Sequence, residues 1–335
     1  MANTGTARPG APVVTEGMLA RDWQVPFPLD VRLTLSVHGR CPADPTFRVD
    51  DAGAVWRTSL TAEGPGTIRV LAVGEVPAAA GAAQPEAAGQ GTRVVAHAWG
   101  PGAAWLLDAL PAALGFYDDI SGFDPSHRIL REVVTRYPGV RVGRSGRLME
   151  ALVPAVLEQK VTGNEAHRAW KFLLARFGAQ PPGPAPAGMR VFPDPKTWRT
   201  IPSWEWHRAG VENVRAQTIF HATSAADSLE RLLDLSSAEA DRKLRSIPGI
   251  GQWTSAEALQ RAAGDPDAIS VGDYNLPKAV GWALAGRQST DDATMLDLLA
   301  PYAGHRYRVT RLVELSGRMP PRRGPRMPVR DYRGF

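Results

Sequence analysis

At 335 residues and 44% hydrophobic content the chain is long enough for two or three compact units, and it has neither an apolar run that could span a bilayer nor a charged-then-apolar signal segment, so a bacterial cytosolic protein is expected. The formal net charge of +5 suits a phosphate-rich partner, although the Arg, Ala, Gly and Pro content is also what a GC-rich genome writes. The single cysteine, Cys41, excludes an internal disulfide, a cysteine-ligated zinc and an iron–sulfur cluster, and the seven scattered histidines form no ligand pair, so no catalytic metal is expected.

Residues 1–20 are rich in small side chains without periodicity, which predicts a disordered lead-in. Residues 31–38, Val-Arg-Leu-Thr-Leu-Ser-Val-His, alternate apolar and polar side chains and read as a half-buried strand. Residues 46–49 and 55–60, joined by Asp50-Asp-Ala-Gly53, read as a hairpin, and 67–73 and 92–98 as further strands around an Ala/Gly/Pro/Gln-rich loop at 76–91. Helical spacing follows over 102–114. Residues 21–116 therefore predict an antiparallel α+β domain.

From Tyr117 onward the pattern is helical. One helix starts at Asp124-Pro-Ser-His127 and is broken at Tyr137-Pro-Gly-Val-Arg141. Residues 147–161 predict an amphipathic helix with Leu148, Leu152, Val156 and Leu157 on one face, and 164–177 another, ended by Gly178. A Pro-rich surface loop covers 180–188, and 293–315 supply further helix. The basic stretch 317–335 is either a solvated tail or an extra nucleic-acid contact.

Between these lie two helical patterns, 235–245 and 254–263, joined by Pro248-Gly-Ile-Gly251. Gly249 and Gly251 can take positive φ and let the backbone approach another molecule, and the second helix opens with free N–H groups that suit a phosphate. Such a helix–hairpin–helix holds a nucleic-acid backbone without reading sequence. An αα-hairpin whose glycines only turn the chain is the alternative. Val271-Gly-Asp-Tyr274 then places Asp273 ahead of a helical pattern at 275–284.

Pro248-Gly-Ile-Gly-Gln-Trp-Thr-Ser255, the Gly/Pro loop after the second helix and Asp273-Tyr274 together resemble the helix–hairpin–helix DNA glycosylase superfamily, and within it the bacterial DNA-3-methyladenine glycosylase II family. The resemblance covers about 124–315 well and 22–115 loosely. Residues 148–162 are similar to the segment that precedes the family's DNA-wedging loop, and 211–217 to its Gly-x-x-x-x-Arg-Ala turn. The resemblance implies an α+β fold in which the N-terminal antiparallel sheet domain precedes a mostly α-helical glycosylase core, 117–316. That core divides into a subdomain of about 146–265, with the hairpin at 244–260, and a second built from 117–145 and 266–316.

The activity implied is monofunctional base excision: double-stranded DNA is bound by a monomer, an alkylated purine of the 3-methyladenine type or a bulkier adduct is flipped out, and its N-glycosidic bond is hydrolysed. No cofactor and no membrane are implied, and a monovalent cation at the hairpin backbone is the one ion the resemblance allows. Hydrolysis passes through a sugar cation, which Asp273 would stabilise; a helix N-cap is a compatible second role for the same carboxylate. Pro248, Gly249, Ile250, Gly251, Thr254 and Ser255 would meet the DNA backbone, and Gln159 and Lys160 would wedge into or touch the duplex. Trp253 and Tyr274 would line the base pocket, with core packing as the alternative.

Trp253 stands where bifunctional relatives carry a Schiff-base lysine, and an indole is no nucleophile. The chain departs from the family at Glu257, where a second pocket aromatic is expected, near Val313, where a pocket tryptophan is expected, and at Lys160, where the wedge is usually leucine. Glu257 lies one helical turn after Trp253 and either lines the pocket, favouring a cationic purine, or faces solvent. These departures leave open a non-catalytic helix–hairpin–helix DNA-binding or damage-sensing protein.

Overall fold

A computed structural model describes residues 13–15, 17–73 and 91–321, and the statements below concern those residues. Six antiparallel strands form one sheet in the order β1-β2-β6-β5-β4-β3, namely β1 (Val13–Thr15), β2 (Met18–Val25), β3 (Phe47–Val49), β4 (Val55–Thr61), β5 (Gly64–Val73) and β6 (Thr92–Trp99). The lead-in expected over 1–20 is thus strand in its second half: β2 pairs with β6 from Met18↔Trp99 to Val25↔Thr92, a non-local ladder that local composition does not reveal. The loop expected at 76–91 lies, apart from Gly91, outside the described residues.

The strand expected at 31–38 is instead a helix, α1 (Val31–Leu35), continued by a 3-10 turn at Ser36–His38. Asp30 caps it, its Oδ1 accepting from Leu33 N at 2.8 Å. The buried side chains are Val31, Thr34 and Leu35, a helical spacing hidden in an alternating sequence. Val25, Val55, Ile68, Val70 and Val94 pack against Leu107 and Leu110 of α2 (Ala103–Ala113) to make the first core.

The remaining helices are α3 (Arg128–Arg136), α4 (Leu148–Leu157), α5 (Gly163–Phe177), α6 (Pro195–Thr200), α7 (Ser203–Ala209), α8 (Asn213–Ser224), α9 (Ala226–Glu230), α10 (Ser237–Leu244), α11 (Gln252–Ala262), α12 (Leu276–Ala285), α13 (Asp292–Leu299) and α14 (Arg306–Leu315). They make two cores. One gathers α4 and α5 with α6 to α11; the other joins α3 to α12, α13 and α14.

Helix α4 is the axis of the larger core. It is not amphipathic as predicted, because every residue but Glu150 is buried, and it ends at Leu157 rather than Val161. A buried helix must satisfy its orphan N–H groups internally. Glu230 does so, accepting from Leu148 N at 2.8 Å and Met149 N at 3.1 Å. The early end follows from Lys160, whose φ of +54° cannot continue a right-handed helix.

Candidate active site

The hairpin forms where expected, between α10 and α11, but its two glycines do different things. Gly249 has φ +88°, and a Cβ there would lie 2.0 Å from Thr218 Oγ1. Gly251 is extended, with φ −98° and ψ −177°, and a Cβ there would meet nothing within 4 Å. Only Gly249 therefore needs the left-handed region; Gly251 leaves open space in front of the backbone. Pro248, Gly249, Gly251 and Gln252 are exposed. Ile250, Thr254 and Ser255, expected at the DNA backbone, have buried side chains: Ile250 pins the turn into the larger core, and Thr254 Oγ1 accepts from Gln159. Ser255 N already donates to Gly251 O at 3.0 Å, so the N–H groups available to an anion are those before it.

The loop after α4 is tied on both sides of Lys160. Arg215, from the predicted Gly-x-x-x-x-Arg-Ala turn, is buried and donates from Nη1 to Leu157 O at 2.7 Å. Gln159 Nε2 donates to Gly249 O at 2.9 Å and to Thr254 Oγ1 at 2.8 Å. Thr162 and Glu165 form a capping box at the start of α5. Lys160 is exposed between these anchors in a conformation that costs a non-glycine residue free energy, and the surrounding bonds impose it.

Asp273 is held by three donors. Its Oδ1 accepts from Asn275 N at 2.7 Å and Leu276 N at 2.8 Å, just ahead of α12, whose N-cap residue is Asn275 rather than Asp273, and its Oδ2 accepts from Trp253 Nε1 at 3.1 Å. The half-buried Trp253 ring thus stands beside the carboxylate. Tyr274 is 74% exposed, which rules out core packing for it, and Lys278 Nζ lies 3.3 Å from its ring centroid, a cation–π contact that sequence reading missed.

Glu257 is neither a pocket carboxylate nor a solvated one. Its Oε1 accepts from Ser270 Oγ at 2.6 Å and its Oε2 from Arg261 Nη1 at 2.8 Å, while Arg261 Nε reaches back to Val37 O. Burial alone would push its carboxyl up; the Arg261 guanidinium, the Ser270 hydroxyl and Arg40 outweigh that and hold it below the usual carboxylate range. Both oxygens are thus engaged within the protein, and Arg261 already offsets the charge that would attract a cationic purine. Val313 is fully buried in the third core, and so no pocket wall either. A separate cavity lined by His38, Arg40, Arg57, Glu150 and Arg261 lies between the sheet domain and α4, and Trp253, Asp273 and Tyr274 have no part in it. Among the described residues no group of three or more His, Cys, Asp or Glu side chains is placed to hold a metal ion, and no helix is long and apolar enough to cross a membrane.

No protein-family model matches the chain. Over 172 residues it is 31% identical to the probable bifunctional transcriptional activator/DNA repair enzyme AlkA of Mycobacterium tuberculosis, a stretch that makes up 51% of this chain and 33% of that protein. The chain thus spans about a third of the length of that curated relative. The 3-methyladenine DNA-glycosylase of Archaeoglobus fulgidus superposes with a TM-score of 0.67 at 17% identity, over 88% of this chain and 98% of that one. The chain has the fold of that glycosylase. Clostridium acetobutylicum 8-oxoguanine glycosylase/lyase shares it, with a TM-score of 0.64 at 12% identity over 92% of this chain and 97% of that one. Within this glycosylase fold the bonds from Gln159 to Gly249 and from Trp253 to Asp273 set loop 158–162, the hairpin and the carboxylate side by side.

Proposed function

We propose that the chain is a monofunctional DNA glycosylase that excises alkylated purines from duplex DNA, without a cofactor and as a monomer. The observation that carries this reading is the Asp273 carboxylate fixed by three N–H donors next to an aromatic ring, at the C-terminal side of the hairpin between α10 and α11. In this reading the exposed backbone at Gly249 and Gly251 and the N–H groups opening α11 take hold of a phosphate. Lys160 enters the duplex, its methylenes filling the gap and its ammonium meeting phosphate. The damaged nucleotide rotates out towards Trp253 and Tyr274.

Asp273 then opposes the positive charge that builds on the sugar as the N-glycosidic bond breaks. A cationic alkylated base leaves readily, so little acid assistance is required of the protein. The three donors prevent the carboxylate from rotating away, which places its charge before the transition state forms. No amine occupies position 253, so no Schiff base forms and the DNA strand is left intact.

The test is release of modified bases from alkylated genomic DNA, read by mass spectrometry, for the parent and for Asp273→Asn. Asparagine keeps an oxygen acceptor for Asn275 N and Leu276 N, so the variant should fold and bind lesion DNA within a few-fold of the parent, yet release bases about 100-fold more slowly or worse. Comparable rates would remove Asp273 from the mechanism. A parent chain that binds lesion duplexes but releases nothing would instead identify a damage-binding protein. Borohydride should trap no covalent adduct.

A further inference from the structure

We propose that Glu257, Gln260 and Ser270 are positioning residues that hold the Asp273 carboxylate in its working orientation, a proposal that rests on the role given to Asp273 above. Helix α11 carries Trp253, Glu257 and Gln260 at successive four- and three-residue steps, so all three side chains leave the same face. Each of them bonds the segment 268–273. Gln260 Nε2 donates to Ala268 O at 3.0 Å and Ser270 Oγ at 3.1 Å; Ser270 Oγ donates to Glu257 Oε1 at 2.6 Å; Trp253 Nε1 donates to Asp273 Oδ2. The segment closes on itself through Asp273 N, which donates to Ser270 O at 3.2 Å. The result is a ring that leaves α11 at Glu257, passes through Ser270 and the turn to Asp273, and returns to α11 at Trp253.

The turn in that ring is also held from its other side: Ile269 and Val271 pack on the third core, and Val271 N donates to Ile269 O at 2.9 Å. Gly272 is exposed with φ +91°, and its N–H donates to Asp292 Oδ2 at 3.0 Å. Ser270 and Gln260, by contrast, are 2% and 4% exposed, so their bonds are made away from water, where an oriented hydrogen bond constrains most. The Glu257 carboxylate gives the Ser270 hydroxyl a charged acceptor, which directs its proton and leaves an oxygen lone pair for Gln260. Arg261 completes the frame by pairing with the other Glu257 oxygen. The acid one turn beyond Trp253 thus serves the carboxylate on the neighbouring loop rather than a bound base.

The experiment compares two duplexes: one with a pyrrolidine, protonated and cationic, in place of the damaged nucleoside, the other with a neutral tetrahydrofuran. The ratio of the two affinities reads how well Asp273 meets a positive charge at the sugar. The parent should prefer the cationic duplex, and Asp273→Asn should lose that preference. Ser270→Ala should lower the preference about 10-fold while binding the neutral duplex as the parent does, and should change nothing further in the Asp273→Asn background. Glu257→Gln, which keeps an acceptor for Ser270 but not the charge, should lower it in the same direction by less and serves if Ser270→Ala does not fold. An unchanged ratio in the folded variants, or equal losses on both duplexes, overturns the positioning role while leaving Asp273 in place. A parent that shows no preference overturns the reading of Asp273 itself, and this one with it.

Discussion

The indole N–H of Trp253 donates to the Asp273 carboxylate at 3.1 Å, so the side chain at position 253 serves the carboxylate directly. Trp253→Phe keeps a smaller aromatic ring and removes that donor. Single-turnover base release should fall about 10-fold, the scale of one hydrogen bond to a charged group, with lesion affinity changed less than about 3-fold. An equal loss in affinity would mean that the ring acts mainly by stacking on the base.

The two hairpin glycines separate folding from binding. Gly249→Ala places a Cβ against Thr218 in a left-handed backbone and should lower stability by about 2 kcal/mol or more in urea denaturation. Gly251→Val meets open space at an ordinary φ, so its stability should stay within about 0.5 kcal/mol of the parent. Its affinity for undamaged duplex should nonetheless drop and the salt dependence flatten by about one phosphate contact. Parent-like binding by Gly251→Val would move the DNA away from the hairpin.

Lys160 is the discriminating residue for the loop. Lys160→Gly relieves the positive φ and should raise stability by about 1 kcal/mol. The same variant should bind abasic-site duplexes more weakly, because it lacks the side chain that we propose fills the gap. A gain in stability with no loss in binding would show that the strained loop has no role at the duplex.

Cys41 should be a poor nucleophile. Burial, and after it the nearby Asp44, push its thiol up to about 11. At pH 8 only about a thousandth is then thiolate, so maleimide labelling of the native protein should be slow, rise roughly tenfold per pH unit, and become fast once the chain is unfolded in urea. Rapid labelling at pH 7 in the native state would contradict the burial seen here.

Local signals were read well. The Pro-Gly-Ile-Gly turn, the start of α12 just after Asp273-Tyr274 and the β3–β4 hairpin each depend on a few neighbouring residues, and each forms close to its expected place. What sequence could not show was set at a distance. Over a segment as short as 31–35, periods of 2.0 and 3.6 share the same apolar letters, and the Asp30 cap decided for the helix. Strand β2 exists through its ladder with β6. Glu257 could not be placed without knowing that Arg261, one turn on, and Ser270, in the loop between α11 and α12, both converge on it. The inward side chains of Thr254 and Ser255 likewise follow from α4 lying against α11.

Helix α3 has a consequence for the order in which the molecule is built. Ile129, Leu130 and Val133 pack with Val280, Met295, Leu299, Val309 and Leu312, none of which exists until most of the chain has been synthesised. The sheet with α2, and then the helices from α4 to α11, can close on residues already made. The apolar stripe of α3 meanwhile waits on the ribosome without a partner, the period in which such a surface is most prone to sticking elsewhere. Helix α12, whose first turn holds Asp273, joins the same late core. The nascent protein therefore has its hairpin before it has the Asp273 carboxylate in place.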